Sequence, residues 1–285
     1  LCQVQVGTHA VVNLITLEPN TEIPCGSWVS YDITLFGADG RENHLCELVS
    51  SLLYLGQSYP SFVIRRQIGK MLHGSCRKPH HDSEDGLVIV DRQIELGLTG
   101  QTEPPDLLMM SGDQVYTDDV AGPTLVAIKQ TIDMLGLFHE ELEGSTISNS
   151  QEIFEHKHCF YQRPKLLPDD PSTTNTYSQF FAGKRKPIFT SVNACNHLIS
   201  FAEVMAMYIL TWSPEMWQRV HISDETIPEP FKQKFAKEKV IIENFVVGLE
   251  KVRRALAHVR VYMIFDDHDV TDDWNLTRGW EDAVY

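Results

Sequence analysis

Val261-Tyr262-Met263-Ile264-Phe265-Asp266-Asp267-His268-Asp269-Val270-Thr271-Asp272-Asp273-Trp274-Asn275 is an apolar run that stops abruptly in carboxylates. Residues 261–265 read as a strand, and the polar cluster begins where that strand ends. Five Asp fall within the eight residues 266–273, and at that density they repel one another unless a cation or water neutralises them. Two readings stand side by side: a metal pocket at a strand end, or a solvated acidic loop.

Working outward, two earlier stretches have the same form. Asp106-Leu107-Leu108-Met109-Met110 is a short apolar strand ending at Ser111-Gly112-Asp113-Gln114-Val115-Tyr116-Thr117-Asp118-Asp119, and Lys70-Met71-Leu72-His73 ends at Gly74-Ser75-Cys76. Helical periods separate these strands. One covers 87–98, before the break at Pro104-Pro105. A second follows Gly122-Pro123, with Leu125, Ile128, Ile132, Leu135, Phe138 and Leu142 three and four apart. Asn196-His197 opens a third, strongly apolar segment to Trp212, and a fourth runs over 230–257 straight into the strand at 261. Strands alternating with helices predict an α/β layer fold with largely parallel pairing. In such sheets the carboxyl ends of the strands share one edge, where ligands collect, so the three polar clusters are expected to meet.

Before residue 67 the texture differs. Residues 3–17 are extended in character, Trp28 to Phe36 alternates at period two before the turn Gly37-Ala38-Asp39-Gly40, and Phe62-Val63-Ile64 closes the unit. The expectation is a small β-sandwich-like domain over 1–66, immunoglobulin-like but shorter than the ~100 residues of a full one, followed by the α/β domain over 67–285. Residues 145–190 carry few regular signals, and 163–187 reads as a long loop or insertion.

The totals bound the function. The 285 residues are 42% apolar and 9% aromatic, enough for a substantial core. A net charge of -15 argues against a nucleic-acid surface or broad binding to anionic lipid. No apolar run approaches the about 18 residues of a membrane span. Residues 1–24 lack a basic start followed by an apolar segment, so the expected location is cytoplasmic, with the native start left open because Leu1 is not an initiator Met. Six scattered cysteines without a CxxC pair favour reduced thiols, and their even number leaves disulfides open.

Thiolate, carboxylate and phenolate from Cys76, Asp113 and Tyr116 together suit a hard trivalent or borderline metal, and further carboxylates suit a second, harder ion. Taken singly, each has a plain reading: a buried thiol, turn chemistry and a half-buried aromatic.

Gly74-Ser75-Cys76-Arg77, Gly112-Asp113-Gln114-Val115-Tyr116 with Asp118-Asp119, and Phe265-Asp266-Asp267-His268-Asp269 with Asp272-Asp273-Trp274 resemble the alkaline phosphatase D (PhoD)-like metallophosphatases, a branch of the calcineurin-like metallophosphoesterases. The resemblance spans about residues 70–285. It implies a layered metallophosphoesterase-type α/β sandwich, often preceded by a β-sandwich, and hydrolysis of phosphomonoesters or phosphodiesters through a metal-activated hydroxide. It implies that Cys76, Asp113 and Tyr116 hold Fe3+, that Asp113 bridges to Ca2+, that Asp267 stands where the superfamily has a metal-binding Asn, and that His268 protonates the leaving oxygen or stabilises the transition state. The superfamily's opening Asp-x-His is replaced by Gly-Ser-Cys, as in the PhoD-like branch. No Gly-His-x-His occurs, and the family continues with further ligand-bearing strands, so 67–285 is expected to be the N-terminal part of its catalytic domain.

Arg77 and Asn196 are further candidates for contact with a substrate phosphate, although Asn196 also reads as a helix cap. His80-His81 with Asp82 could edge the site. His156, His158 and Cys159 look like a zinc cluster without a fourth ligand. Against the phosphoesterase stand a non-catalytic metal-binding or interaction protein that keeps the fold and a calcium-binding loop. An EF-hand begun at Asp267 would need Gly and Glu where Asp272 and Arg278 stand.

Overall fold

The computed structural model describes residues 2–37, 39–143, 145–167, 191, 193–272 and 274. The loop expected over 163–187 lies outside them from residue 168 onward, as do Asp273, Asn275 and Arg278. In chain order the elements are β1 (Cys2–Gly7), β2 (Ala10–Leu14), β3 (Trp28–Ser30), β4 (Thr34–Phe36), β5 (Glu42–His44), the short helix α1 (Leu45–Leu48), β6 (Ser61–Val63), β7 (Met71–Gly74), α2 (Gly86–Leu98), β8 (Leu107–Met110), α3 (Gly122–Leu135), α4 (Phe201–Trp212), α5 (Lys232–Ala257) and β9 (Val261–Met263). The fold is mixed α/β. Among the described residues, no helix is long and apolar enough to cross a membrane.

The expected parallel sheet forms in the order β7-β8-β9. Met71 pairs with Leu107 and Gly74 with Met110, while Leu108 pairs with Val261 and Met110 with Met263. Each strand is short because its ladder ends where the polar cluster takes over. The helix connections that parallel pairing requires are α2 between β7 and β8, and α3 to α5 between β8 and β9.

Helix boundaries follow local chemistry. Asp85 caps α2 by accepting from the Leu87 N–H at 3.0 Å, and Leu87, Val90 and Ile94 bury one face of that helix. Helix α3 stops at Leu135, earlier than the periodicity through Leu142 suggests, because Gly136 adopts the left-handed φ of 56° and bonds back to the Ile132 carbonyl. Helix α4 begins at Phe201 rather than at Asn196, since Ser200 and Glu203 form a reciprocal capping box.

Two apolar clusters result. One centres on α3 and α4 and includes Leu125, Ile128, Ala206, Met207 and Leu210, with Phe235 from α5. The other lies under the sheet, where Leu108 and Met110 of β8 meet Leu87, Val90 and Ile94 of α2 and Val252 and Ala255 of α5.

The sandwich expected over 1–66 is replaced by three separate antiparallel pairs, β1-β2, β3-β6 and β4-β5. Most of these strands have three residues, below the ~5–6 typical of globular sheets, and the period-two run from Trp28 to Phe36 is interrupted at Asp32, whose carboxylate accepts the Ile33 N–H. The pairs pack on the helices. The Thr8 N–H bonds the Gly136 carbonyl at 2.8 Å, and the Phe138 N–H bonds the Val6 carbonyl at 3.1 Å. At the far end of α5, the Tyr31 hydroxyl donates to the Ala257 carbonyl, and His258 joins the Leu52 carbonyl to the Ser61 N–H. None of the six cysteines is disulfide-bonded.

Candidate metal centre

The three polar clusters occupy one edge of the sheet. After β7 the chain turns at Cys76, whose φ is +55°, and after β8 it turns at Gly112 and Asp113, with φ of +138° and +49°. A Cβ at Gly112 would stand 2.6 Å from an Asp266 carboxylate oxygen, so glycine is required there both for its backbone angle and for the approach of the third segment. The Cys76 N–H bonds the Gly112 carbonyl at 3.1 Å and the Arg77 N–H bonds the Asp113 carbonyl at 3.3 Å, which joins the first loop to the second. Strained left-handed backbone at two non-glycine positions of one loop pair is a mark of functional sites.

The third segment is fastened by Asp269. Its carboxylate accepts the N–H groups of Gln114, Val115 and Asp266 and the hydroxyl of Tyr208 at 2.8–3.2 Å. Gln114 returns the contact by donating to the Ile264 carbonyl, and the Thr117 N–H bonds the His268 carbonyl. A turn over Asp267–Asp269, capped by Asp266, then presents Asp267 and His268 to the second loop.

Ligand-type atoms of Asp113, Asp267 and His268 lie within 4.8 Å of one another, and Asp118, His268 and Asp272 form a second such group through the same imidazole. Tyr116 donates its hydroxyl to Asp113 Oδ2 at 3.2 Å, and the Cys76 thiol lies against both. Asp113 Oδ1 is buried with no hydrogen-bond partner, an exception for a buried carboxylate that an ion in this position would explain. Burial raises Asp113 above the usual carboxylate range, and burial with the Asp113 charge raises Tyr116. The donor set of carboxylates, imidazole, phenol and thiol therefore fits a cation.

His268 is gripped from two sides. Its Nδ1 lies 2.9 and 3.0 Å from the two oxygens of Asp118, and its ring stacks on Tyr116 with centroids 4.4 Å apart. The Asp118 hydrogen bond lifts His268 to about 9. Burial pushes Asp118 up, but the His268 and Ser191 hydrogen bonds outweigh it and leave the carboxyl below its ordinary value.

The structure thus brings together Cys76, Asp113, Tyr116, Asp267 and His268. It does not bring Arg77 or Asn196 to them. Arg77 donates to Asp85 and to the Thr211 carbonyl, and its guanidinium lies between the Trp212 and Phe245 rings. Asn196 is buried, accepting the Tyr161 N–H and donating to the Val120 carbonyl. His80 pairs with Asp119 at 3.3 Å, and Lys78, which also pairs with Asp119, sits 5.7 Å from the Tyr116 ring centroid. The His156 and His158 rings are tilted at 53° to each other with centroids 5.2 Å apart, Cys159 receives a guanidinium hydrogen of Arg163, and among the described residues no group of metal-ligand type includes the three. The roles of Asp118 and Asp269 were accessible in part. The Asp266-x-x-Asp269 spacing is a capping pattern, whereas nothing local announces that Asp118 meets His268.

The chain matches no family model, no curated protein and no solved structure.

Proposed function

We propose that this chain carries the site of a metal-dependent phosphoesterase, similar to the PhoD-like metallophosphatases, that hydrolyses phosphomonoesters or phosphodiesters. The observation that best supports this reading is the meeting of Asp113, Asp267 and His268 at the carboxyl edge of a parallel sheet, with Asp113 Oδ1 orphaned. Asp113, Asp267, Tyr116 and Cys76 would hold the metal, Fe3+ with Ca2+ by the resemblance. A cation there supplies Lewis acidity to the phosphoryl oxygens and makes water a nucleophile at neutral pH.

The chain's own residues supply the rest. Asp118 fixes the His268 ring through Nδ1, and Nε2, 3.9 Å from Asp272 Oδ1, carries the proton offered to the leaving group. As water oxygen bonds to phosphorus and the ester P–O bond breaks, His268 passes its Nε2 proton to the departing alkoxide, and the proton lost by the attacking water restores the imidazolium through solvent. The products are an alcohol and phosphate, or a phosphomonoester from a diester. A pKa of about 9 keeps that acid charged at neutral pH. Tyr116 holds the imidazole plane from the other face.

The deciding experiment combines metal uptake with turnover of a chromogenic phosphate ester. Expected outcomes are loss of bound metal in Asp113→Ala and a fall in kcat of about 10²–10⁴-fold in His268→Ala. A tyrosinate-to-iron colour that Tyr116→Phe removes would identify the phenol as a ligand. Turnover undiminished in Asp113→Ala overturns the proposal, and metal uptake with no hydrolysis favours the non-catalytic reading.

A further inference from the structure

Next to the candidate metal centre lies a second recess, of about 470 Å3, within the range of small-molecule sites. Cys76 and Tyr116 belong to the walls of both. Its walls combine Leu87 and Val90 of α2, Leu108 and Met110 of β8 and Phe245 of α5 with the polar side chains of His73, Ser75, His81 and Ser83. The cations along it are already engaged, Arg77 with Asp85 and Lys78 with Asp119. The Arg77–Asp85 pair is 6% and 5% exposed on its two side chains and links the Cys76 loop to the first turn of α2, so the recess is preformed rather than a gap between loose loops.

We propose that this recess receives the organic group of the phosphate ester, and that this group is uncharged and apolar, of one or two rings. The inference rests on the phosphoesterase reading for the identity of the ester. The recess itself stands on its lining. A hydroxyl-rich group would find partners in Ser75, Ser83 and the two imidazoles for only part of its polar atoms, the rest lying unpaired against Leu87 and Val90. An anionic group would meet the Glu84 carboxylate of the lining. A ring system instead finds the Leu87 and Val90 side chains and the adaptable thioether of Met110.

The test starts from the metal-free protein and 1-naphthol, the alcohol released from 1-naphthyl phosphate. The expected result is saturable binding, with nuclear Overhauser contacts to the Leu87 and Val90 methyls. Gly86 is part of the lining of the recess, and a Cβ there meets nothing within 4 Å, so Gly86→Trp adds an indole at the recess without displacing a neighbour. It is expected to weaken 1-naphthol binding by about tenfold or more at an unchanged melting temperature. Absence of saturable binding to the parent protein, or contacts elsewhere, overturns the inference even if Gly86→Trp folds poorly. In the metal-loaded protein, the ratio of kcat/KM for 1-naphthyl phosphate over glycerol phosphate should exceed one and fall in Gly86→Trp. A ratio at or below one in the parent protein counts against the inference. Hydrolysis of neither ester sinks the phosphoesterase reading instead, and the naphthol contacts then decide the recess alone.

Discussion

His268 and Asp118 carry the most consequential contact at the scale of single residues. The carboxylate fixes the ring and raises its pKa to about 9, so Asp118→Asn is expected to return His268 toward its ordinary value in the metal-free protein, read by an NMR titration of the ring protons. The sign of the linked stability is definite. A histidine raised on folding stabilises fully below the unfolded value of 6.5 and loses that contribution as pH rises through about 9. Urea midpoints of the parent protein should therefore fall between those limits, and the fall should flatten in Asp118→Asn. Sequence could announce Asp113 and His268, because each follows a short apolar strand. It could not announce Asp118, whose meaning depends on a partner 150 residues away.

Helix α4 shows how an element is held by charge at its base. Arg163 and Glu203 are both fully buried and 2.6 Å apart, and Glu203 also completes the capping box with Ser200. Removing one member of such a pair strands the other, so Glu203→Ala is expected to cost about 3–5 kcal/mol, measured by urea unfolding. An unchanged midpoint would show that water reaches Arg163. Periodicity reads α2, α5 and the three parallel strands nearly to their ends, and it finds α3 and α4 with one end displaced. It misses the stop of α3, which Gly136 sets through its backbone angle. It also misses how β3 to β6 pair, since strands of three residues carry too little pattern to choose a partner. Arg77 is instructive in the same way. A cation after a candidate ligand suggests phosphate binding, yet the Asp85 carboxylate, eight residues on, satisfies it.

Across the whole molecule, buried histidines shape the pH response. Burial lowers His258, which accepts from the Ser61 N–H and bonds the Leu52 carbonyl in its neutral form. The unfolded chain takes up that proton below 6.5 while the folded one resists, so this contribution is lost as pH falls below 6.5. Burial lowers His197 in the same direction. With His268 acting oppositely, thermal stability of the metal-free protein is expected to peak near pH 6.5, the ordinary value from which all three depart. A melting temperature still climbing from pH 7 to 9 would contradict this balance.

The central strand of the sheet has a temporal consequence. β8 gains its second neighbour only when β9 arrives, after α3, α4 and α5. Such distant pairing closes a long loop before any contact rewards it. During synthesis, β8 therefore waits with one edge unpaired, and Asp118 waits without its imidazole, until residue 268 has left the ribosome. The metal centre is assembled only once the segment carrying β9 and His268 has joined β8.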